Sequence, residues 1–152
     1  MATYFLDSSV VIKRYQIEIG SSWVSAIIEA GHSILISPIT ATEVVAALAR
    51  QGKASAVAKA RAEVAIHHFQ HDCDIFYRVI EAKAEIFTNS IALAETGMLR
   101  GCDAIQLSAA LFVQNLLLPF DDRGLIFVAA DDELVSAAIR YGLQTDNPNH
   151  YL

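Results

Sequence analysis

Short apolar runs alternate with longer amphipathic segments along most of the chain. The runs at 3–7, 33–37, 75–79 and 125–129 are rich in β-branched and aromatic residues, which is typical of buried strands. Apolar residues at helical spacing predict helices over 21–30, 40–52, 53–70, 81–96, 102–114 and 132–141. This alternation predicts an α/β fold with a central parallel sheet covered by helices on both faces.

Four acidic residues lie where a predicted strand ends or a predicted helix begins. They are Asp7, Glu43, Asp103 and Asp131. The functional crevice of an open parallel sheet lies at the carboxyl ends of its strands, so we expect these side chains to meet there. Clustered carboxylates repel one another unless a cation intervenes, and Mg²⁺ prefers oxygen ligands. The four acids together predict a divalent metal site suited to phosphodiester hydrolysis.

Each acid taken singly also has a purely structural explanation. Thr40 and Glu43 match the capping box of a helix start. Asp131 is explained as an N-cap, Asp103 as a first-turn residue favoured by the helix dipole, and Asp7 as a turn residue. The metal site is favoured only because all four acids are expected at one edge of the sheet.

Residues that follow Asp7 are candidate substrate-binding residues. Ser9 either tethers a neighbouring carboxylate or forms the N-cap of the helix that contains Val10. Lys13 and Arg14 are cations close to Asp7 in sequence, which suits contact with a phosphate backbone. A second basic segment suits guidance of an RNA backbone toward the acids, but a solvated helix face is the favoured interpretation. It contains Arg50, Lys53, Lys59 and Arg61.

Histidines and cysteines offer a weaker case for a metal site. His67 and His71 have the spacing of a helical metal pair, and His68 and Cys73 lie beside them. No second ligand pair accompanies this group, so we interpret the histidines as surface residues near a helix end. Cys73 and Cys102 lack a paired-cysteine spacing and are interpreted as reduced thiols in the core.

Composition limits the classes of protein that fit. The 152 residues predict a single domain over 1–152, and 54% hydrophobic residues with a mean hydropathy of +0.38 favour an apolar surface used in self-association. A net charge of −6 argues against binding nucleic acid through a general basic field. No targeting sequence and no apolar run of ~20 residues is present, which predicts a cytoplasmic protein without a membrane helix.

Four motifs follow one another along the chain, at Phe5–Ser9, Thr42–Val44, Cys102–Ala110 and Phe127–Leu134. Together they resemble the motifs of the PIN domain family, and within it the ribonuclease toxins of VapC type. The resemblance covers nearly the whole chain. One position departs from the pattern, because Ala129 stands two residues before the fourth acid, where the family often has Ser or Thr.

The resemblance implies a PIN-like three-layer α/β/α sandwich and an endoribonuclease dependent on Mg²⁺ or Mn²⁺. Metal-activated water is expected to hydrolyse RNA and leave a 5′-phosphate. Asp7 and Asp103 are the expected primary ligands, and Glu43 and Asp131 complete the site or orient the nucleophile. A homodimer and a small antitoxin partner are also implied. The alternative is a PIN-like scaffold that binds RNA or protein without cleavage, which Ala129 favours and the four acids disfavour.

Overall fold

The computed structural model describes residues 1–152, which form five strands and seven helices. The strands are β1 (Thr3–Leu6), β2 (Ser33–Ile36), β3 (Tyr77–Val79), β4 (Ile126–Val128) and β5 (Gln144–Asp146). The helices are α1 (Ser8–Tyr15), α2 (Ser21–Glu29), α3 (Thr40–Gln51), α4 (Ala56–Ile75), α5 (Ala84–Gly97), α6 (Gly101–Leu117) and α7 (Asp132–Arg140). Single 3-10 turns occupy Gly52–Ala54 and Pro148–His150.

The five strands form one parallel sheet in the order β3-β2-β1-β4-β5. Phe5 on β1 pairs with Leu35 on one side and with Phe127 on the other. The chain proceeds outward from β1 through β2 to β3 and then returns to place β4 on the other side of β1. The strand order therefore reverses between β1 and β4, and in such sheets a crevice opens at the carboxyl ends of the strands at this point.

Alternating side chains of the strands supply the cores on the two faces of the sheet. Phe5 and Phe127 pack with residues of α5, α6 and α7 in one apolar cluster. Leu6 and Val128, one position further along each strand, pack with residues of α1, α2, α3 and α4 in the other. Helices therefore cover both faces, and the predicted three-layer sandwich with a parallel central sheet is confirmed.

The main differences from the predicted elements lie at their ends. The strand predicted from Ile75 begins only at Tyr77, because α4 continues through Ile75 and the Phe76 N–H still donates to the Asp72 carbonyl. Helix α1 was considered from the sequence only in the alternative in which Ser9 caps a helix that contains Val10. The structure contains this helix, eight residues long and beginning at Ser8. None of the helices is both long enough and apolar enough to cross a membrane.

Candidate active site

The acidic residues lie around the point where the strand order reverses. Asp7 follows β1 directly, and its N–H donates to the Val128 carbonyl of β4 across 2.9 Å. Asp131 follows β4 and immediately precedes α7. Glu43 and Asp103 lie in the first turns of α3 and α6.

Asp7 is the most buried of the four acids, with 4% of its surface exposed. It is the N-cap of α1, and its Oδ2 atom accepts hydrogen bonds from the Ser9 N–H at 3.1 Å and the Ser9 hydroxyl at 2.5 Å. Burial raises the pKa of Asp7 from 3.8 to about 6; the charges of Asp103 and Glu43 add to this rise, and the bonds from Ser9 oppose it. The ionised carboxylate is therefore destabilised where it lies.

Ser9 connects Asp7 to the loop after β4. Its hydroxyl oxygen accepts a hydrogen bond from the Ala130 N–H at 3.2 Å while its proton is donated to Asp7. The predicted tether to a neighbouring carboxylate is confirmed, and the alternative that Ser9 is the N-cap is wrong because Asp7 takes that position. Ala129 is fully buried and belongs to the apolar cluster around Phe127, so this departure from the family pattern lies in the core.

Glu43 does not form the capping box that the sequence permits. Helix α3 already begins at Thr40, its N-cap is Ile39, and no side chain caps it. The Glu43 carboxylate instead accepts hydrogen bonds from the Ser8 hydroxyl at 2.7 Å and from Gln106 Nε2 at 2.8 Å. Ser8 and Gln106 are thus site-associated residues that sequence reasoning missed, because their partners are distant along the chain.

Asp103 is partly exposed and interacts electrostatically with the other acids. Burial raises its pKa above the usual value, and the charges of Asp131 and Glu43 raise it further, whereas the Arg100 cation lowers it. Asp131 is exposed and also acts as the N-cap of α7, since its Oδ1 atom accepts the Glu133 N–H at 2.8 Å. The N-cap role predicted for Asp131 is therefore present. In addition, Asp131 lies close enough to Asp103 for its charge to raise the pKa of Asp103.

The donor set fits a hard divalent cation. The ion pairs of the protein involve none of these four carboxylates, so no side-chain cation neutralises them directly. As the side chains stand, no three His, Cys, Asp or Glu residues are grouped closely enough to hold a metal ion. Mg²⁺ does not need three such side chains, because it is usually held by one or two carboxylates and retains several waters. The oxygen donors offered to such an ion are the carboxylates of Asp7, Glu43, Asp103 and Asp131.

The cations Lys13 and Arg14 have structural partners. Lys13 Nζ donates to the Ile19 carbonyl at 2.8 Å and lies 3.2 Å from Glu18, with 6% of the lysine side chain exposed. The Arg14 guanidinium binds Asp72 at 2.7 Å, and 7% of its side chain is exposed. The geometry therefore opposes the substrate contacts predicted for both residues, since neither presents a free cation.

Arg100 is a basic residue near the acids that sequence reasoning did not select. It is exposed, it is the N-cap residue of α6, and its charge acts on Asp103. The sequence offered one clue, because Arg100 lies just before the predicted helix that contains Asp103.

Two histidines lie beside Asp72, and neither cysteine is buried in the core. On α4, His68 Nε2 and His71 Nδ1 lie 3.4 Å and 3.9 Å from carboxylate oxygens of Asp72. Cys102 is exposed and Cys73 is half-buried, so the prediction that both thiols lie in the core is wrong.

Comparisons with known proteins agree with this geometry. The sequence profile of the PIN domain matches residues 4–138. A search of curated proteins gave no significant match.

Solved structures resemble the chain over nearly its full length. A structure of PAE2754 from Pyrobaculum aerophilum has a TM-score of 0.62 at 17% identity, with 95% of this chain and 89% of that chain covered. VapBC-1 from nontypeable Haemophilus influenzae gives 0.62 at 14% identity, with 96% and 98% covered. A toxin-antitoxin complex from Klebsiella pneumoniae gives 0.58 at 19% identity, with 95% and 97% covered. These likenesses show the fold, and the profile match over most of the chain shows that it belongs to the PIN domain family.

Proposed function

We propose that this PIN domain is a metal-dependent endoribonuclease of VapC type and acts as the toxin of a toxin-antitoxin pair in the cytoplasm. PIN domains are generally nucleases. The observation that carries the proposal is the Asp7 carboxylate, which is buried without an ion-pair partner and lies within the electrostatic reach of Glu43 and Asp103. A carboxylate in this state gains stability when a divalent cation replaces the missing positive charge.

We assign the four acids different roles according to their positions. Asp7 and Asp103 would hold the metal, Mg²⁺ or Mn²⁺, and Glu43 and Asp131 would orient the attacking water or complete the site through other waters. When bound, the cation would supply an activated water and offset charge on the phosphate. Hydrolysis breaks the bond between phosphorus and the 3′ oxygen, and it would leave a 3′-hydroxyl on one product and a 5′-phosphate on the other. Ser9 holds the Asp7 carboxylate in place through its hydroxyl.

Arg100 supplies the local positive charge for the substrate. The protein has a net charge of −6, so the RNA backbone needs a cation near the acids rather than a general basic field. Arg100 is exposed, and its charge acts on Asp103. We therefore assign phosphate contact to Arg100 in place of Lys13 and Arg14, whose side chains are buried in ion pairs.

The toxin role requires a protein partner. The Klebsiella pneumoniae structure is described as a toxin-antitoxin complex, and this chain shares its fold. Large apolar side chains are exposed on this protein, among them Ile17 at 99% and Phe120 at 90%. We propose that a homodimer and a short amphipathic antitoxin segment cover part of this surface. Coexpression with the product of the adjacent upstream reading frame tests the antitoxin, and light scattering that shows only a monomer at all concentrations contradicts the dimer.

RNA cleavage by the purified protein tests the enzymatic proposal. We expect cleavage with Mg²⁺, none with excess chelator, and 5′-phosphate ends on the products. Asp7→Asn should abolish cleavage. Asp74→Asn is the control and should not, because Asp74 is exposed near the end of α4. Helix α4 leads into the amino end of β3, whereas the four acids lie at the carboxyl ends of the strands. RNA binding without cleavage under all metal conditions would instead support the scaffold alternative.

A further inference from the structure

A buried glutamine donates a hydrogen bond to Glu43, one of the four acids. Gln106 is on α6, one turn after Asp103, and has no exposed surface. Its Nε2 atom donates to Glu43 Oε1 at 2.8 Å and to Ser8 Oγ at 2.7 Å, and it lies 3.2 Å from Thr40 Oγ1. One amide group therefore connects α1, α3 and α6 at the point where they approach the acids.

The hydrogen bonds converge on one oxygen of Glu43. The Ser8 hydroxyl donates its proton to Glu43 Oε1 at 2.7 Å and accepts a hydrogen bond from Gln106. Glu43 Oε1 thus accepts from both Ser8 and Gln106, and both side-chain hydrogen bonds to Glu43 end on this atom. Neither of these two hydrogen bonds ends on the other carboxylate oxygen, Oε2.

The neighbours of the Gln106 amide determine its orientation. Its Oε1 atom is buried without a hydrogen-bond partner, which costs free energy. The flipped amide would place that oxygen 2.8 Å from the Glu43 carboxylate oxygen, where two acceptors repel. The amide therefore presents its N–H groups to Glu43 and Ser8 and leaves its own oxygen unpaired.

We propose that Gln106 is a positioning residue, which holds Glu43 Oε1 together with Ser8 so that Oε2 serves the metal site. The inference rests on the proposed function, because it is there that Glu43 belongs to a metal site. Hydrogen bonds that fix a ligating carboxylate set its orientation before the metal binds and so strengthen binding. A merely structural Gln106 would affect folding stability and leave metal affinity unchanged.

Titration of the full-length protein with Mn²⁺ alone, read by the electron paramagnetic resonance of free Mn²⁺, separates these roles. Gln106→Met removes the donor at similar side-chain length, and we expect it to raise the Mn²⁺ Kd by about 10-fold or more. Gln114→Met is the matched control on the same helix, since Gln114 Oε1 accepts the Leu125 N–H at 2.8 Å. The control should lower the unfolding temperature in chelator and leave the Mn²⁺ Kd unchanged.

The possible outcomes distinguish this inference from the function on which it rests. If Asp7→Asn loses Mn²⁺ affinity and Gln106→Met keeps it, the positioning role is overturned and the metal site stands. If the wild type does not bind Mn²⁺, or Asp7→Asn binds it equally well, both proposals are overturned. Should Gln106→Met fail to fold, Ser8→Ala decides, because it removes the other donor to Glu43 Oε1. A raised Kd supports the proposal and an unchanged Kd overturns it.

Discussion

Arg14 Nε donates a hydrogen bond to Asp72 Oδ2 across 2.7 Å, and the two residues are 58 positions apart in the chain. Only 7% of the arginine side chain and 4% of the aspartate side chain are exposed. The Tyr15 hydroxyl donates to the same Asp72 oxygen at 2.9 Å. This network joins α1 to α4, and we infer that Arg14 stabilises the fold.

Arg14→Met should therefore destabilise the protein without impairing RNA cleavage by the folded fraction. The substitution removes the guanidinium partner of the buried Asp72 charge and leaves the Tyr15 hydroxyl and His68 beside it. Loss of one partner from a buried pair costs up to about 3–5 kcal/mol. Urea unfolding measures this loss. Lys83→Met is the control, because the Lys83–Glu81 pair is exposed and such pairs contribute roughly 0–1 kcal/mol. Unchanged stability with a raised KM for RNA would show instead that Arg14 contacts the substrate.

Asp103→Asn should raise the unfolding temperature of the metal-free protein and abolish RNA cleavage. Burial and the charges of Asp131 and Glu43 raise the pKa of Asp103, so its ionised form is destabilised at neutral pH. Water screens this partly exposed group, and we expect a gain on the order of 1 kcal/mol or less.

Mg²⁺ should stabilise the wild type much more than Asp103→Asn, because a ligand that binds only the folded state shifts unfolding in proportion to its affinity. Thermal melts with Mg²⁺ and with chelator measure both effects. Equal stabilisation of the two proteins by Mg²⁺, together with no gain in chelator, would show that Asp103 is only a first-turn residue.

The stability of the metal-free protein should depend on the ionisation of Asp7. Its folded-state pKa of about 6 lies above the ordinary 3.8, so between these values the folded state binds more protons than the unfolded state. The contribution of Asp7 to the free energy of unfolding therefore rises as pH falls from above 6 toward 4. Urea unfolding in chelator should show this rise in wild type relative to Asp7→Asn. Identical pH profiles of the two proteins would contradict the raised pKa.

Arg100→Gln should weaken RNA binding at low salt and raise KM more than it lowers kcat. Loss of one phosphate contact should reduce the slope of log affinity against log salt by about 1. Arg123→Gln changes the net charge equally, but Arg123 lies before β4 and pairs with Asp121 at 2.8 Å, so its effect should be small. Equal effects of both substitutions would show that Arg100 acts only through the net charge of the protein.

The sequence is most informative about the sheet and its acids, because both depend on local patterns. Strands with one buried residue after another produce continuous apolar runs, and Asp7 and Asp131 stand at the ends of two of them. Parallel topology then places these ends at one edge without further information. The fold class was confirmed for this reason.

Contacts between distant residues were beyond sequence reasoning. Gln106 and Glu43 are 63 positions apart, and nothing in either local motif indicates that one donates to the other. The same holds for Arg14 and Asp72. The capping box at Thr40 failed because the Thr40 hydroxyl hydrogen-bonds with Ser37 instead, at 3.1 Å. Tertiary packing decided each of these cases.

We propose one divalent cation, bound by the four acids at the carboxyl ends of the parallel strands. Anomalous X-ray scattering from crystals of the protein soaked with Mn²⁺ locates the metal without reference to activity. We expect a Mn²⁺ peak with the carboxylates of Asp7 and Asp103 as direct ligands and Glu43 and Asp131 beside it. A Mn²⁺ peak bound only elsewhere, or no peak near Asp7 at saturating Mn²⁺, would contradict it.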